Sequence, residues 1–142
     1  MEVRAFLLAD HAEAVNGKLY LMGGGWDRLF VSAFPSTHPH MSVATLLSVG
    51  WQETNDQHRF QLRLLDADGQ ELPSAHVEGQ FELGRPPGMR PGDDSQIPIV
   101  FGENTIVFER PGTYVFELSI DGSVEKQLSF RVAALQAVAL TT

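Results

Sequence analysis

The stretch PGTYVFELSIDG, residues 111–122, decides the fold class of this chain. Apolar and polar side chains alternate along it from Phe116 to Asp121. Because successive side chains of a β-strand point to opposite faces of the sheet, this alternation predicts a half-buried strand. A Pro-Gly pair precedes the strand and an Asp-Gly pair follows it, and both pairs are common in turns. The stretch therefore predicts one strand of an antiparallel sheet with a turn at each end.

The same alternation recurs in three further segments, residues 60–64, 77–83 and 128–132. The Asn16-Gly17 pair adds a strong hairpin signal, because both of its positions tolerate positive φ. Several short strands with turns between them are typical of a sandwich or barrel. We therefore predict an all-β fold, an antiparallel two-sheet β-sandwich of immunoglobulin-like or jelly-roll-like type with little or no helix.

Two segments, Val3–Ala9 and Met41–Trp51, are apolar at both odd and even positions. Such runs are typical of strands that are buried on both faces. We expect them to be central strands covered on both sides. The segments 34–40, 51–57 and 84–94 carry the residue types of loops.

The chain has 142 residues, which suits a single domain. We expect the sandwich to span residues 1–132, and residues 133–142 to form a C-terminal tail or a short docking segment. This last segment is apolar, and Leu135, Val138 and Leu140 would leave an exposed patch unless they dock on the sandwich or on a second chain. The sequence contains no cysteine, which excludes disulfides and thiolate metal sites.

The net charge of −8 is acidic, and no basic cluster is visible in the sequence. Nucleic-acid binders present a basic surface, so we expect no nucleic-acid partner. No apolar run approaches the roughly 20 residues that cross a bilayer, and the short apolar run at the N-terminus lacks the pattern of a signal peptide. We therefore expect no membrane partner and a cytoplasmic location.

The Pro-Gly-Thr-Tyr segment and the strands around it resemble the last two strands of immunoglobulin-like sandwiches. That resemblance implies that the Tyr114 hydroxyl ties back to the preceding corner. A larger part of the chain resembles an uncharacterised family of small bacterial β-sandwich proteins of unknown function. The residues that carry this second resemblance are 3–10, 17–27, 84–88 and 111–114. It implies a fold and a bacterial source, but no activity.

Two short motifs invite a metal-binding interpretation. His38 and His40 are two residues apart, but zinc sites usually need three or four protein ligands, so we expect exposed histidines on a proline-stiffened loop. Histidines elsewhere in the sequence would have to converge on this loop to complete a site. The acidic stretch from Asp66 to Glu71 has its glycine too early for a calcium loop, and we expect an ordinary turn there. The sequence thus predicts no metal site and no cofactor.

Gly23-Gly24-Gly25 lacks the lysine of a phosphate loop, so it indicates a bulge or a close backbone approach. Trp26 then packs beside these glycines or lines a groove. In the alternative function, a small-molecule or carbohydrate-binding sandwich, a groove would combine the aromatic rings Trp26 and Trp51 with His38 and His40.

The segment 84–92 is the strongest candidate for an interface. Its prolines favour an extended and pre-ordered backbone, which lowers the entropy lost on binding, and exposed arginines are frequent anchors in interfaces. The candidate interface residues are Arg85, Pro86, Pro87, Met89 and Arg90. The alternative is an exposed crossover between the two sheets.

No catalytic residues can be assigned from the sequence, because it contains neither a Gly-x-Ser-x-Gly elbow nor a recognisable triad. We predict a non-enzymatic binding or assembly module whose partner is another protein or a second copy in a homodimer. A metal-dependent enzyme that uses His38 and His40 is a third and less favoured hypothesis.

Overall fold

The structure, a computed structural model, describes residues 1–135, apart from the side chains of residues 103 and 104. Within this part of the chain there are nine strands: β1 (Glu2–Val15), β2 (Lys18–Gly24), β3 (Arg28–Val31), β4 (Ser36–Gly50), β5 (Gln57–Leu65), β6 (Val77–Glu82), β7 (Asp94–Phe108), β8 (Gly112–Ile120) and β9 (Ser123–Ala134). Two single-turn 3-10 helices comprise Trp51–Glu53 and Pro73–Ala75. The described residues include no helix long and apolar enough to cross a membrane.

The strands form two sheets that pack face to face. The first sheet has the order β2-β1-β4-β7, and the second has the order β3-β9-β8-β5-β6. Every pair is antiparallel except β3 with β9, which run parallel. The predicted all-β two-sheet sandwich is therefore confirmed.

The predicted turns join neighbouring strands. Asn16-Gly17 links β1 to β2 with φ angles of 52° and 72°, and Asp121-Gly122 links β8 to β9 with φ angles of 50° and 84°. Positive φ at both central residues is the geometry that matches the right-handed twist of a hairpin. The alternating side chains of β8 line the core with those of β5 and β9, and Phe108, Phe116 and Phe130 are fully enclosed there.

The outer face of β8 is less exposed than the alternation predicts. Glu117 is only 9 % exposed and Ser119 only 8 %. Glu117 accepts hydrogen bonds from Arg63 on β5 and Gln127 on β9, at 3.4 and 3.1 Å. Long polar side chains of the flanking strands thus cover the outer face of β8. The alternation of apolar and polar residues within β8 cannot predict this burial, because the covering side chains belong to other strands.

The two apolar segments form β1 and β4, the central strands of the first sheet. On one face they enter the core between the sheets, and on the other face Ala9 and Ala44 belong to a separate apolar cluster with Leu7, Leu19 and Val100. Cα atoms of β2 and β7 come within 8 Å of each other, although two strands lie between them. The sheet therefore curls over its own outer face. This curl buries part of the outer faces of β1 and β4, so these strands are covered on both sides.

Two predicted boundaries move in the structure. The sequence predicts a loop at residues 34–40, but β4 begins at Ser36 because this segment pairs with the end of β7, Ser36 with Phe108 and His38 with Ile106. Strand β9 continues through Ala134, beside β3, and the Leu135 amide donates to the Val31 carbonyl oxygen at 2.7 Å. The rest of the predicted tail, residues 136–142, lies outside the described residues.

Candidate functional site

A tight turn follows the end of β4 and carries Trp51. The Gly50 amide donates to Glu53 Oε1 at 3.0 Å, and the Thr54 hydroxyl donates to the Trp51 carbonyl oxygen at 2.6 Å. The α-amino group of Met1 contacts the same Glu53 carboxylate at 2.7 Å. Burial alone would raise the pKa of Glu53, but the hydrogen bonds from Met1 and Gly50 outweigh burial and lower this pKa. The turn is thus held at its backbone and at its acidic side chain.

Arg85 lies on the indole ring of Trp51. Its guanidinium carbon is 3.5 Å from the ring centroid. Its Nε donates to the Thr54 hydroxyl oxygen at 2.8 Å, and one terminal nitrogen donates to the Trp51 carbonyl oxygen at 3.1 Å. A planar guanidinium can stack and donate in its own plane at the same time, whereas an ammonium cannot. The fold therefore joins a residue of the predicted interface to a residue of the predicted groove.

The segment after Arg85 consists of two consecutive turns rather than the extended backbone that its prolines suggest. The Met89 amide donates to the Pro86 carbonyl oxygen at 3.1 Å, and the Asp93 amide donates to the Arg90 carbonyl oxygen at 2.9 Å. The third residue of each turn is a glycine with positive φ, Gly88 at 90° and Gly92 at 89°. Proline followed by such a glycine is the pattern of a type II turn, because this turn type needs a positive φ at its third position.

These two turns present most of the predicted interface residues to solvent. Arg85, Pro86, Pro87 and Arg90 are exposed, and Met89 is half-buried. Asp93 pairs with Arg90, since its carboxylate accepts from the Arg90 amide at 2.9 Å and lies 3.6 Å from Arg90 Nε. Among the described residues, no carboxylate oxygen lies within 4.0 Å of the Arg85 guanidinium. Arg85 is thus rigidly held without an acidic partner in the described part of the chain.

A shallow cleft lies beside the stacked pair. It has a volume of about 370 Å³ and is lined by residues 50–53 and Gly92. The cleft therefore connects the turn after β4 with the second of the two type II turns. A partner that covers Arg85 would also reach this cleft.

His58 supports the turn from the second sheet. It is 8 % exposed, its Nε2 lies 2.7 Å from the Glu53 carbonyl oxygen, and its Nδ1 lies 2.7 Å from Asp121 Oδ2. Both nitrogens face acceptors, so the protonated ring satisfies both contacts. Burial alone would lower the pKa of His58, but the hydrogen bonds to Glu53 and Asp121 outweigh burial and raise it.

The structure does not bring the four predicted groove residues together. His38 lies near Trp26, with 6.5 Å between ring centroids, and Trp26 forms a T-shaped pair with Phe130 of the core, with centroids 6.3 Å apart. Trp51 is at the opposite end of β4, about 40 Å from His38 along the strand. His40 lies against His11 of β1 instead, with ring centroids 5.4 Å apart.

The glycine run and the acidic turn have structural roles. Gly23 has a φ of 64°, and a side chain there would collide with Asp10, so this position needs glycine. In the acidic turn, Asp66 Oδ1 accepts from the amides of Asp68 and Gln70, both at 2.9 Å. Arg110 lies 3.5 Å from the carboxylates of Asp66 and Asp68. An arginine thus compensates the charge of this turn.

Sequence reasoning missed the residues that hold Arg85 in place. Thr54 is 4 % exposed and lies in a segment predicted only as a loop. Asn55 anchors the same segment to the end of β6, because its amide donates to the Leu83 carbonyl oxygen at 2.8 Å. No local pattern announces these contacts, since they join positions about 30 residues apart.

These features define a compact two-sheet β-sandwich with a rigid arginine-bearing loop at one end. Residues 4–133 match the model of a Family of unknown function (DUF6941), and the chain belongs to this family. A search of curated proteins finds no match.

Proposed function

We propose that this protein is a non-enzymatic binding module that recognises another protein through Arg85, Trp51 and the two turns of residues 86–93. The observation that carries the proposal is the state of Arg85. Its guanidinium is fixed by a ring and two hydrogen bonds, yet among the described residues it has no acidic partner within 4.0 Å. A cation that is oriented in advance and open to an incoming carboxylate is a favourable interface anchor.

The rigidity of the loop supports the same proposal. Each type II turn fixes a glycine whose backbone freedom would otherwise be lost on binding. Five prolines and glycines stand at or beside the turn centres: Pro86, Pro87, Gly88, Pro91 and Gly92. Because the loop is already ordered before the partner binds, association loses less conformational entropy and the affinity is higher. The partner therefore meets a preformed surface.

We further propose that the partner is a protein with an exposed carboxylate, or a second copy of this chain, in the bacterial cytoplasm. The net charge of −8 disfavours nucleic acid as the partner. The absence of cysteine suits a reducing compartment. Sugar stacking on Trp51 is the weaker alternative, because Arg85 already covers one face of that ring.

Site-specific photo-crosslinking tests the proposal. A photoreactive amino acid at Pro87 is introduced into the otherwise native chain, and also into chains that carry Arg85→Ala or Arg59→Ala. Arg59 is an exposed arginine on β5, away from the loop, and serves as the matched control. We expect one dominant crosslinked product in cells, reduced at least tenfold by Arg85→Ala and unchanged by Arg59→Ala.

The mass of that product separates a second copy from another protein. If residue 87 gives no specific product, or if the two arginine variants behave alike, the loop is not the recognition surface. Circular dichroism of the purified variants excludes loss of the fold as the cause.

A further inference from the structure

His11 and His40 face each other across two neighbouring strands of the first sheet. Strand β1 pairs with β4 so that Ala9 lies opposite Ser42, and the same register places His11 beside His40. The two rings are nearly parallel, at 23°, and His11 Nδ1 is 3.3 Å from His40 Nε2. The fold thus brings a second histidine next to His40, as a metal site at His40 requires.

Glu13 fixes the state of the His11 ring. Its Oε1 lies 3.1 Å from His11 Nε2. An ionised carboxylate only accepts hydrogen bonds, so Nε2 carries the proton and Nδ1 of the neutral ring keeps its lone pair. A carboxylate on the far nitrogen of a metal-binding histidine is the usual means of orienting the ring and raising its basicity.

The two facing nitrogens are close enough to bind one metal ion together. Zinc binds imidazole nitrogen at about 2.05 Å, so tetrahedral angles hold two such nitrogens about 3.3 Å apart. The hydrogen-bonded rings, with these nitrogens 3.3 Å apart, therefore need little movement to bind one zinc ion.

We propose that His11 Nδ1 and His40 Nε2 form a two-ligand site for a divalent zinc ion, with Glu13 as the residue that orients His11. Without metal, His40 donates its Nε2 proton to His11 Nδ1 in a hydrogen bond. When zinc binds, His40 keeps its proton on Nδ1 instead, and both facing lone pairs bind the ion.

The remaining zinc positions are open to water or to a ligand from outside the chain. Among the described residues, no group of three or more histidine, aspartate or glutamate side chains is placed to hold a metal. His11 lines a cleft of about 380 Å³ on the outer side of the curled sheet, together with Glu13, Val100 and Gly102. The cleft leaves room for those further ligands.

His38 offers a matched control for this site. It lies on the same strand as His40, two residues earlier, but its ring is near Trp26 rather than near His11. A substitution there changes the number of histidines on β4 without touching the proposed pair. His38→Ala therefore measures any zinc binding that depends on histidine content alone.

Zinc titration of untagged protein at neutral pH tests the proposal by calorimetry and by thermal unfolding. We expect one zinc per chain for the native protein and for His38→Ala, with a higher Tm in the presence of zinc, because only the folded chain aligns the two rings. We expect His11→Ala and His40→Ala to weaken binding at least tenfold and to lose the rise in Tm. Glu13→Ala keeps both rings and should weaken binding by roughly tenfold.

Cobalt provides an independent reading of the geometry. Bound in place of zinc, it should give the intense visible absorption of a tetrahedral site in the native protein and in His38→Ala, but not in His40→Ala. Absence of zinc binding by the native protein would overturn the proposal, as would equal affinities of the His38, His11 and His40 variants. If a histidine variant fails to fold, Glu13→Ala and the cobalt spectrum of the native protein still decide the question.

Discussion

The hydroxyl of Tyr114 donates a 2.6 Å hydrogen bond to the carbonyl oxygen of Arg110, four residues earlier in the chain. The bond spans the Pro111-Gly112 turn and fixes the entry of the chain into β8. The Tyr114 ring is 4 % exposed and packs on Phe108 at 4.9 Å and on Phe130 at 6.0 Å. Burial raises the pKa of Tyr114, so the hydroxyl keeps its proton and remains a donor.

Tyr114→Phe should lower the free energy of unfolding by about 1 kcal/mol, because it removes the hydrogen bond to the Arg110 carbonyl oxygen and retains the ring packing. Urea unfolding at neutral pH measures the change. Tyr20→Phe removes a hydroxyl from a ring that is 53 % exposed and should have almost no effect. Equal stabilities of the two variants would contradict a structural role for the Tyr114 bond.

The His58–Asp121 pair should make stability depend on pH. The pKa of His58 is raised above 6.5, so its contribution is fully present below pH 6.5 and is lost as the pH rises through the raised value. Hydrogen bonds from the Arg59 amide and from His58 lower the pKa of Asp121 below 3.8, so its contribution is lost only as the pH falls through that lowered value. The pair therefore stabilises the fold most between about pH 4 and 6.5.

Asp121→Asn isolates this electrostatic contribution. Asparagine tolerates the φ of 50° and still accepts from the Arg59 amide, but it lacks the charge. Because the Asp121 side chain is half-exposed, we expect a loss of at most about 1 kcal/mol at pH 5.5 and a smaller loss at pH 8.5. Urea unfolding at both pH values measures it, and a larger loss at pH 8.5 would contradict the assigned protonation state.

The two type II turns should depend on their glycines. Gly92→Ala forces an alanine to adopt a φ of 89° and should lower the free energy of unfolding by about 1 kcal/mol. We also expect it to reduce the yield of the crosslinked product at residue 87. Gly84→Ala is the matched control, since the nearest atom to an added Cβ there is Asn55 Oδ1 at 4.0 Å. Thermal unfolding and crosslinking of both variants test this prediction. Full crosslinking by Gly92→Ala would show that recognition does not need the preformed turn.

The sequence predicts local structure well here because hairpin chemistry and strand alternation act over a few residues. Asn16-Gly17 and Asp121-Gly122 both link the strands that flank them. The candidate sites depend on register instead. His11 meets His40 only because β1 pairs with β4 in one alignment, and Arg85 meets Trp51 only because β6 ends beside the turn after β4.

The proline-rich loop shows a third kind of limit. Proline fixes its own φ in both extended and turn conformations, so the composition of residues 84–92 is compatible with either. The positive φ of the glycines at 88 and 92 decides for turns. Pro87-Gly88 and Pro91-Gly92 are Pro-Gly pairs like Pro111-Gly112. If they are treated as turn signals in the same way, the sequence predicts both turns.

A second mode of self-association, separate from recognition through the Arg85 loop, can be tested at strand β2, an edge of the first sheet. Other edges carry protection against pairing with another chain: β7 contains Pro98, β6 presents Glu78 and Glu82, and β3 has only four residues. Strand β2 has seven residues and a single charge, and Tyr20 and Met22 on it are 53 % and 68 % exposed. An edge of this kind can pair with its own copy.

A charge at this edge should prevent that pairing. Met22→Lys should raise the dimer dissociation constant at least tenfold, because a strand-to-strand contact would enclose the ammonium beside its neighbours. Val124→Lys, at a residue of β9 that is 56 % exposed, is the matched control and should leave the dimer intact. Sedimentation velocity over a range of protein concentrations measures both constants. A dimer that survives Met22→Lys places the self-contact elsewhere, and a native chain that stays monomeric throughout leaves another protein as the partner of the Arg85 loop.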